Sequence, residues 1–175
     1  GDIDGDDKTF IGSPIPDFTY GVNLSASYKG FDVSATLNGQ TGAQVFNAKK
    51  AVRFGLENFE SSFLDRWTGP GTSNSEPRLG NPGHNWFTAS EWLVEDASFL
   101  KIRNVQVGYT LPSSLTNSVN MKTVRVYANG TNLVTFTDYS GYTPEISGSS
   151  VISNGIDTGL YPIARSVTFG VDLTF

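Results

Sequence analysis

The chain has 175 residues, with 38% hydrophobic, 13% aromatic and 17% charged content and 19 glycines. No stretch approaches the roughly 20 apolar residues that a membrane-spanning helix needs, so a bundle of membrane helices is excluded, and the aromatic and glycine content favours short strands and tight turns. A net charge of −5 without a lysine or arginine cluster argues against nucleic acid. The absence of cysteine removes disulfides, thiolate zinc sites and cysteine nucleophiles, and suits an oxidising compartment.

The first residues, Gly1-Asp-Ile-Asp-Gly-Asp-Asp7, hold neither a positive n-region nor an apolar h-region, so an exported protein of this sequence is expected to be a mature fragment or a piece of a longer chain. Asp2, Asp4 and Asp6 offer carboxylates at alternate positions, as a calcium loop does. Asp7 stands where that loop needs glycine, and Ser13 where it needs a bidentate glutamate. The segment reads either as a weak calcium candidate or as a solvated acidic loop.

From Phe18 the even positions to Tyr28 are apolar and most of the odd ones polar; Lys29-Gly30 makes a minimal turn, and Phe31, Val33, Ala35 and Leu37 resume the alternation. This predicts a hairpin of two strands, each about as long as the 9 to 11 residues of a tilted membrane strand. Residues 42–95 lose the period. A short helical run over 48–63 and a Gly/Pro/Ser/Asn-rich stretch over 68–77 predict a long loop with local structure. Alternation returns at Phe99 but flips near Asn104, which predicts a bulge or emergence of the strand from the bilayer. A turn over 111–117 leads to a strand over 124–137, and a second long loop covers 138–163. The closing segment alternates without a break, with Val167, Phe169, Val171, Leu173 and Phe175 on one face. Antiparallel strands are therefore expected over 17–41, 97–111, 122–137 and 165–175.

Connections alternate short and long, as in outer-membrane barrels, whose periplasmic turns are short and extracellular loops long. With the last strand running inward, residues 1–16, 42–95 and 138–163 are expected on the extracellular side. About five strands cannot close a barrel, so other strands must complete it. Alternation alone also allows a soluble β-sandwich, such as a carbohydrate-binding module, with one solvated face.

Four ordered blocks carry a resemblance: Phe10 to Asp32, Ala97 to Pro112, Arg125 to Leu133 with Tyr139 to Glu145, and Gly155 to Pro162 before the last strand. Together they resemble the C-terminal part of SusC/RagA-type TonB-dependent outer-membrane transporters. The resemblance implies an all-β chain of antiparallel strands in a transmembrane barrel of about 22 strands, located in the bacterial outer membrane. It implies nutrient import, of oligosaccharides or peptides, with a SusD-like surface lipoprotein as partner. The plug and the TonB box, through which the TonB complex acts, are not in this sequence. It also implies that the terminal aromatic strand, ending on Phe175, is an assembly signal, whereas simple packing would make Phe175 an interfacial anchor.

The candidate ligand- or partner-facing residues are Trp67, Trp86, Trp92, Tyr139 and Tyr142. Tryptophan beside polar groups stacks on sugar rings, and the same residue anchors barrels at the membrane edge. His84, the single histidine, has neither cysteine nor a second histidine to build zinc or triad chemistry. The pairs Glu57/Glu60 and Glu95/Asp96 resemble glycosidase carboxylates only in type. No enzyme and no cofactor, beyond the weak calcium candidate, is expected.

Overall fold

A computed structural model describes residues 5–52, 61–78, 90–146 and 154–175. Asp2, Asp4, Glu57, Glu60, His84 and Trp86 lie outside the described residues. Five strands form one antiparallel sheet in the order β1-β2-β5-β6-β8: β1 (Phe18–Tyr28), β2 (Phe31–Thr41), β5 (Phe99–Thr110), β6 (Thr123–Thr137) and β8 (Ser166–Thr174). A smaller sheet, β4-β3-β7, joins β3 (Gln44–Asn47), β4 (Val94–Asp96) and β7 (Ile156–Asp157). The long region over 42–95 thus supplies two short strands, with α1 (Ala48–Val52) following β3.

The β1–β2 hairpin turns on Lys29 (φ 48°) and Gly30 (φ 87°), both left-handed. Positive φ at both central residues gives the turn whose twist matches the flanking strands, and it sets the pair Tyr28↔Phe31. Every second pair then matches apolar to apolar, from Ala26↔Val33 through Leu24↔Ala35 to Val22↔Leu37, and the pairs between match polar to polar. At the same end, β5 passes to β6 through α2 (Ser113–Thr116) and a 3-10 turn stopped by Asn120 in the left-handed region.

The flip at Asn104 is a bulge. Thr36 pairs with Asn104 and Leu37 with Ile102, which leaves Arg103 without a partner on β2. On β6, Asn104 pairs with Thr131 and Ile102 with Val134, so Asn132 and Leu133 oppose Arg103. Asn132 takes φ 53°, a conformation asparagine tolerates better than most residues. The extra residue returns Leu100 and Ile102 to the face of Val105 and Val107, so one apolar face runs unbroken across the sheet.

That face is bare. Leu24 is 58% exposed, Phe136 56%, Val171 59% and Phe169 79%, and among the described residues no second sheet covers it, so the β-sandwich expected as an alternative does not form. The opposite, inner face carries Ser34, Thr36, Asn38, Gln106, Asn129, Thr131 and Thr168, which the register places side by side across β2, β5, β6 and β8. The apolar core lies elsewhere, at the end where the long connections enter. Ala43, Val45, Ala97 and Tyr139 cluster there, with Ile146 packed against them.

Candidate functional site

The small sheet forms a cap whose polar groups are mostly satisfied. Asp157, 2% exposed, begins an Asx turn in which its Oδ1 accepts the backbone N–H of Gly159 and of Leu160. Its Oδ2 accepts the Tyr139 hydroxyl and pairs with Lys49 Nζ at 3.2 Å. Burial opposes ionisation of Asp157, but the Tyr139 hydroxyl, the two backbone N–H groups and the Lys49 ammonium outweigh it and hold the carboxyl below its ordinary value. Lys49 also lies over the rings of Tyr139 and Tyr142, at 5.8 and 5.6 Å from their centroids.

A second carboxylate lies on β4. Glu95 pairs with Lys50 at 2.7 Å and accepts the Asn47 amide and the Ser140 N–H and hydroxyl, each at 2.9 Å. Burial raises its pKa, and Lys50, Ser140 and Asn47 lower it by more, to about 2. Asn47, Glu95, Ser140 and Asp157 come from four separate parts of the chain, so this network locks both long connections together.

The inner face has two charged stations. Toward the short turns, Arg125 Nε and Nη2 donate to both oxygens of Asp32 at 3.0 and 2.6 Å, while Nη1 donates to Asp172 at 3.0 Å. The fork spans β2, β6 and β8 because Gly108 lies between: a Cβ there would come within 2.5 Å of Arg125 Nη2. Toward the long connections, Glu145 pairs with Lys101 and, at 2.9 Å, with Arg103. The bulge aims Arg103 Nε at Asn38 as well, at 3.0 Å.

Of the residues singled out from sequence, Trp92, Tyr139 and Tyr142 are brought around the lysine pair, with Lys50 5.4 Å from the Trp92 ring centroid. Tyr139 is a core residue, 5% exposed, whereas Tyr142 is 73% exposed. Trp67 meets Trp92 across an open groove of about 560 Å³, also lined by Asn74 and Arg78. Asp6 sits on a 3-10 turn, Gly5–Asp7, remote in sequence from the cap. Phe175, one residue beyond β8, is 75% exposed. Lys49, Lys50, Asn47 and Asp157 were not singled out, since their partners lie far along the chain; the local Asp157-Thr-Gly159 pattern, an Asx-turn signature, is the one signal that marks the site.

No family model matches the chain. It is 33% identical over 182 residues to TonB-dependent receptor P3 of Formosa agariphila, a match covering 100% of this chain and 18% of that protein. TonB-dependent receptor SusC of Bacteroides thetaiotaomicron is 28% identical, with 100% and 17% covered. Among solved structures, the RagAB peptide transporter superposes with a TM-score of 0.79 at 28% identity, covering 99% of this chain and 19% of that one. The chain is a segment of a SusC/RagA-type TonB-dependent transporter. It spans less than a fifth of the length of the curated relatives it matches. A SusC/RagA segment explains the fold's one anomaly, because in a large transmembrane barrel the apolar face of the sheet needs no protein partner. It explains the open edges too: β1 and β8 each keep one side for the neighbouring strands of the same barrel.

Proposed function

We propose that this segment is the C-terminal part of the barrel of a bacterial outer-membrane nutrient importer, transporting oligosaccharides or peptides rather than catalysing a reaction. The observation that carries the reading is a single sheet with one bare apolar face and one hydroxyl- and amide-lined face, with short connections at one end and long ones at the other. In this reading the residue ranges 1–16, 42–95 and 138–163 are extracellular, and the cap forms part of the transporter mouth. A SusD-like lipoprotein sits over that mouth, and the TonB complex acts through a plug carried elsewhere in the protein. Support comes from a relative named SusC and from neighbours named RagAB, a peptide transporter.

Trp67, Trp92 and Tyr142 are the partner- or ligand-facing residues of this reading, because each lies on or beside the cap. Deleting residues 69–75 from the complete transporter should weaken lipoprotein docking or uptake several-fold while the barrel still assembles. Co-purification and uptake assays read the two effects, and unchanged docking together with unchanged uptake would refute the reading of this loop.

Phe175 has a separate role in this reading, as the mark by which the assembly machinery takes up the closing strand. Its exposure beyond the last ladder pair leaves it accessible. Removing it from the complete transporter should lower the amount assembled in cells and hardly change the melting temperature of what assembles. Normal yield with a clearly lowered melting temperature would make it an interfacial anchor instead.

A further inference from the structure

We propose that the inner face holds an anion subsite beside the β5–β6 bulge, where Lys101 and Arg165 border a cavity that takes the carboxylate or sulfate group of a ligand. The proposal rests on the importer reading to the extent that the inner face must be open to ligands. The cavity has a volume of about 250 Å³ and is lined also by Asn132, Thr135 and Tyr142. It is large enough for one oxyanion group with attendant water.

The sign of the ligand follows from a count of charges. Lys101 and Arg103 share one carboxylate, Glu145, and Arg165 has no ion pair among the described residues. The residues that line the cavity include two cations, Lys101 and Arg165, and no carboxylate. The connection between β6 and β8 contains three acidic residues, Asp138, Glu145 and Asp157. Asp157 is held by Lys49 in the cap, and Asp138 borders a different depression, with Tyr20 and Phe136. The chain thus supplies no second carboxylate to this cavity from that connection. Lys101 is 3% exposed and already paired with Glu145, so the charge left over at the cavity is that of Arg165.

The bulge provides the positioning. Asn132, forced into the left-handed region opposite Arg103, donates its side-chain amide to the carbonyl of Ala164 at 3.2 Å. That bond fixes the backbone one residue before Arg165. A guanidinium carried on backbone so held at the rim suits a planar carboxylate or a sulfate. If the cluster only stapled the loop to the wall, Glu145 and its two partners would suffice and Arg165 would be dispensable.

The test uses the complete transporter, purified in detergent, titrated calorimetrically with trigalacturonate, with a sulfated trisaccharide and with neutral maltotriose at low and high sodium chloride. The anionic probes should bind about tenfold tighter than maltotriose or better, as expected for hydrogen bonds to charged groups, and should lose that advantage in salt. Whichever anionic probe binds tighter identifies carboxylate or sulfate as the better occupant. Arg165→Gln should weaken both anionic probes by about tenfold and leave maltotriose unchanged, while Arg165→Lys keeps part of the binding. Arg165 is exposed, so neither substitution endangers the fold. Equal binding of charged and neutral probes, or an Arg165→Gln protein that binds as the parent does, would overturn the subsite. Charge-selective binding by a transporter that imports nothing would uphold the subsite and count against the importer reading.

Discussion

Arginine in place of Val171 should sharply reduce the amount of correctly assembled transporter in the outer membrane. Val171 stands mid-strand on β8, paired with Val126, and is 59% exposed on the bare apolar face. A charge at the middle of a barrel's lipid face costs about 2–4 kcal/mol, a large share of ordinary net stability. The control is Thr168→Arg on the same strand, which points to the inner face, pairs with Asn129 and has water available. Heat-modifiable mobility on gels, read on the complete protein, distinguishes assembled from unassembled barrel. Equal loss for both substitutions would mean that strand disruption, and not lipid exposure, causes the effect; no loss at Val171 would contradict a lipid-facing sheet.

The second large effect concerns the cap. Asp157→Ala leaves the Lys49 ammonium, 8% exposed, without its carboxylate, and breaking a buried pair from one side costs about 3–5 kcal/mol. The cap should open locally, seen as faster hydrogen exchange over residues 42–47 and 138–146, while the five-stranded sheet stays protected. Replacing both partners, as in Lys49→Met with Asp157→Leu, should restore much of the protection, because no charge is then stranded. If the single change were as quiet as the double one, the pair would not be holding the cap. The same carboxylates set a pH response. Glu95 is held at about 2 against an ordinary 4.5, and Asp157 is also lowered. A carboxyl with a depressed folded pKa contributes its full stabilisation above the unfolded value and loses it as pH falls through the folded one. Cap protection, corrected for intrinsic exchange rates, should therefore hold from neutral pH down to about 5 and decline between about 4.5 and about 2. Protection that failed first near pH 6 would point to some group other than these carboxylates.

The sheet was legible in the sequence because its information is local. A period of two needs only neighbours to be read, and Lys29-Gly30 fixes a hairpin register by itself. The parity change near Asn104 left a bulge and emergence from the bilayer both open, and the register decides for the bulge, since one extra residue restores the face after the flip. Trp67 and Trp92 line one groove, which no local pattern indicates. Tyr139 and Tyr142, three residues apart, were alike on paper, and only packing sends one into the core and the other into solvent.

What the sequence by itself determined was the two-faced character of each strand, the hairpin register and the alternation of short and long connections, all of them set by steric and solvation preferences over a few residues. Tertiary structure alone decided the partners of the charges. Lys49 finds Asp157, Lys50 finds Glu95, Arg125 reaches Asp32 across Gly108, and Lys101 and Arg103 share Glu145. Coulombic and hydrogen-bonding partners depend on distance in space and not along the chain, so an ion pair between residues 93 apart, as with Arg125 and Asp32, leaves no periodic trace. The unpaired cation beside the bulge, Arg165, became visible for the same reason: whether a charge lacks a partner is decided by its neighbours in space.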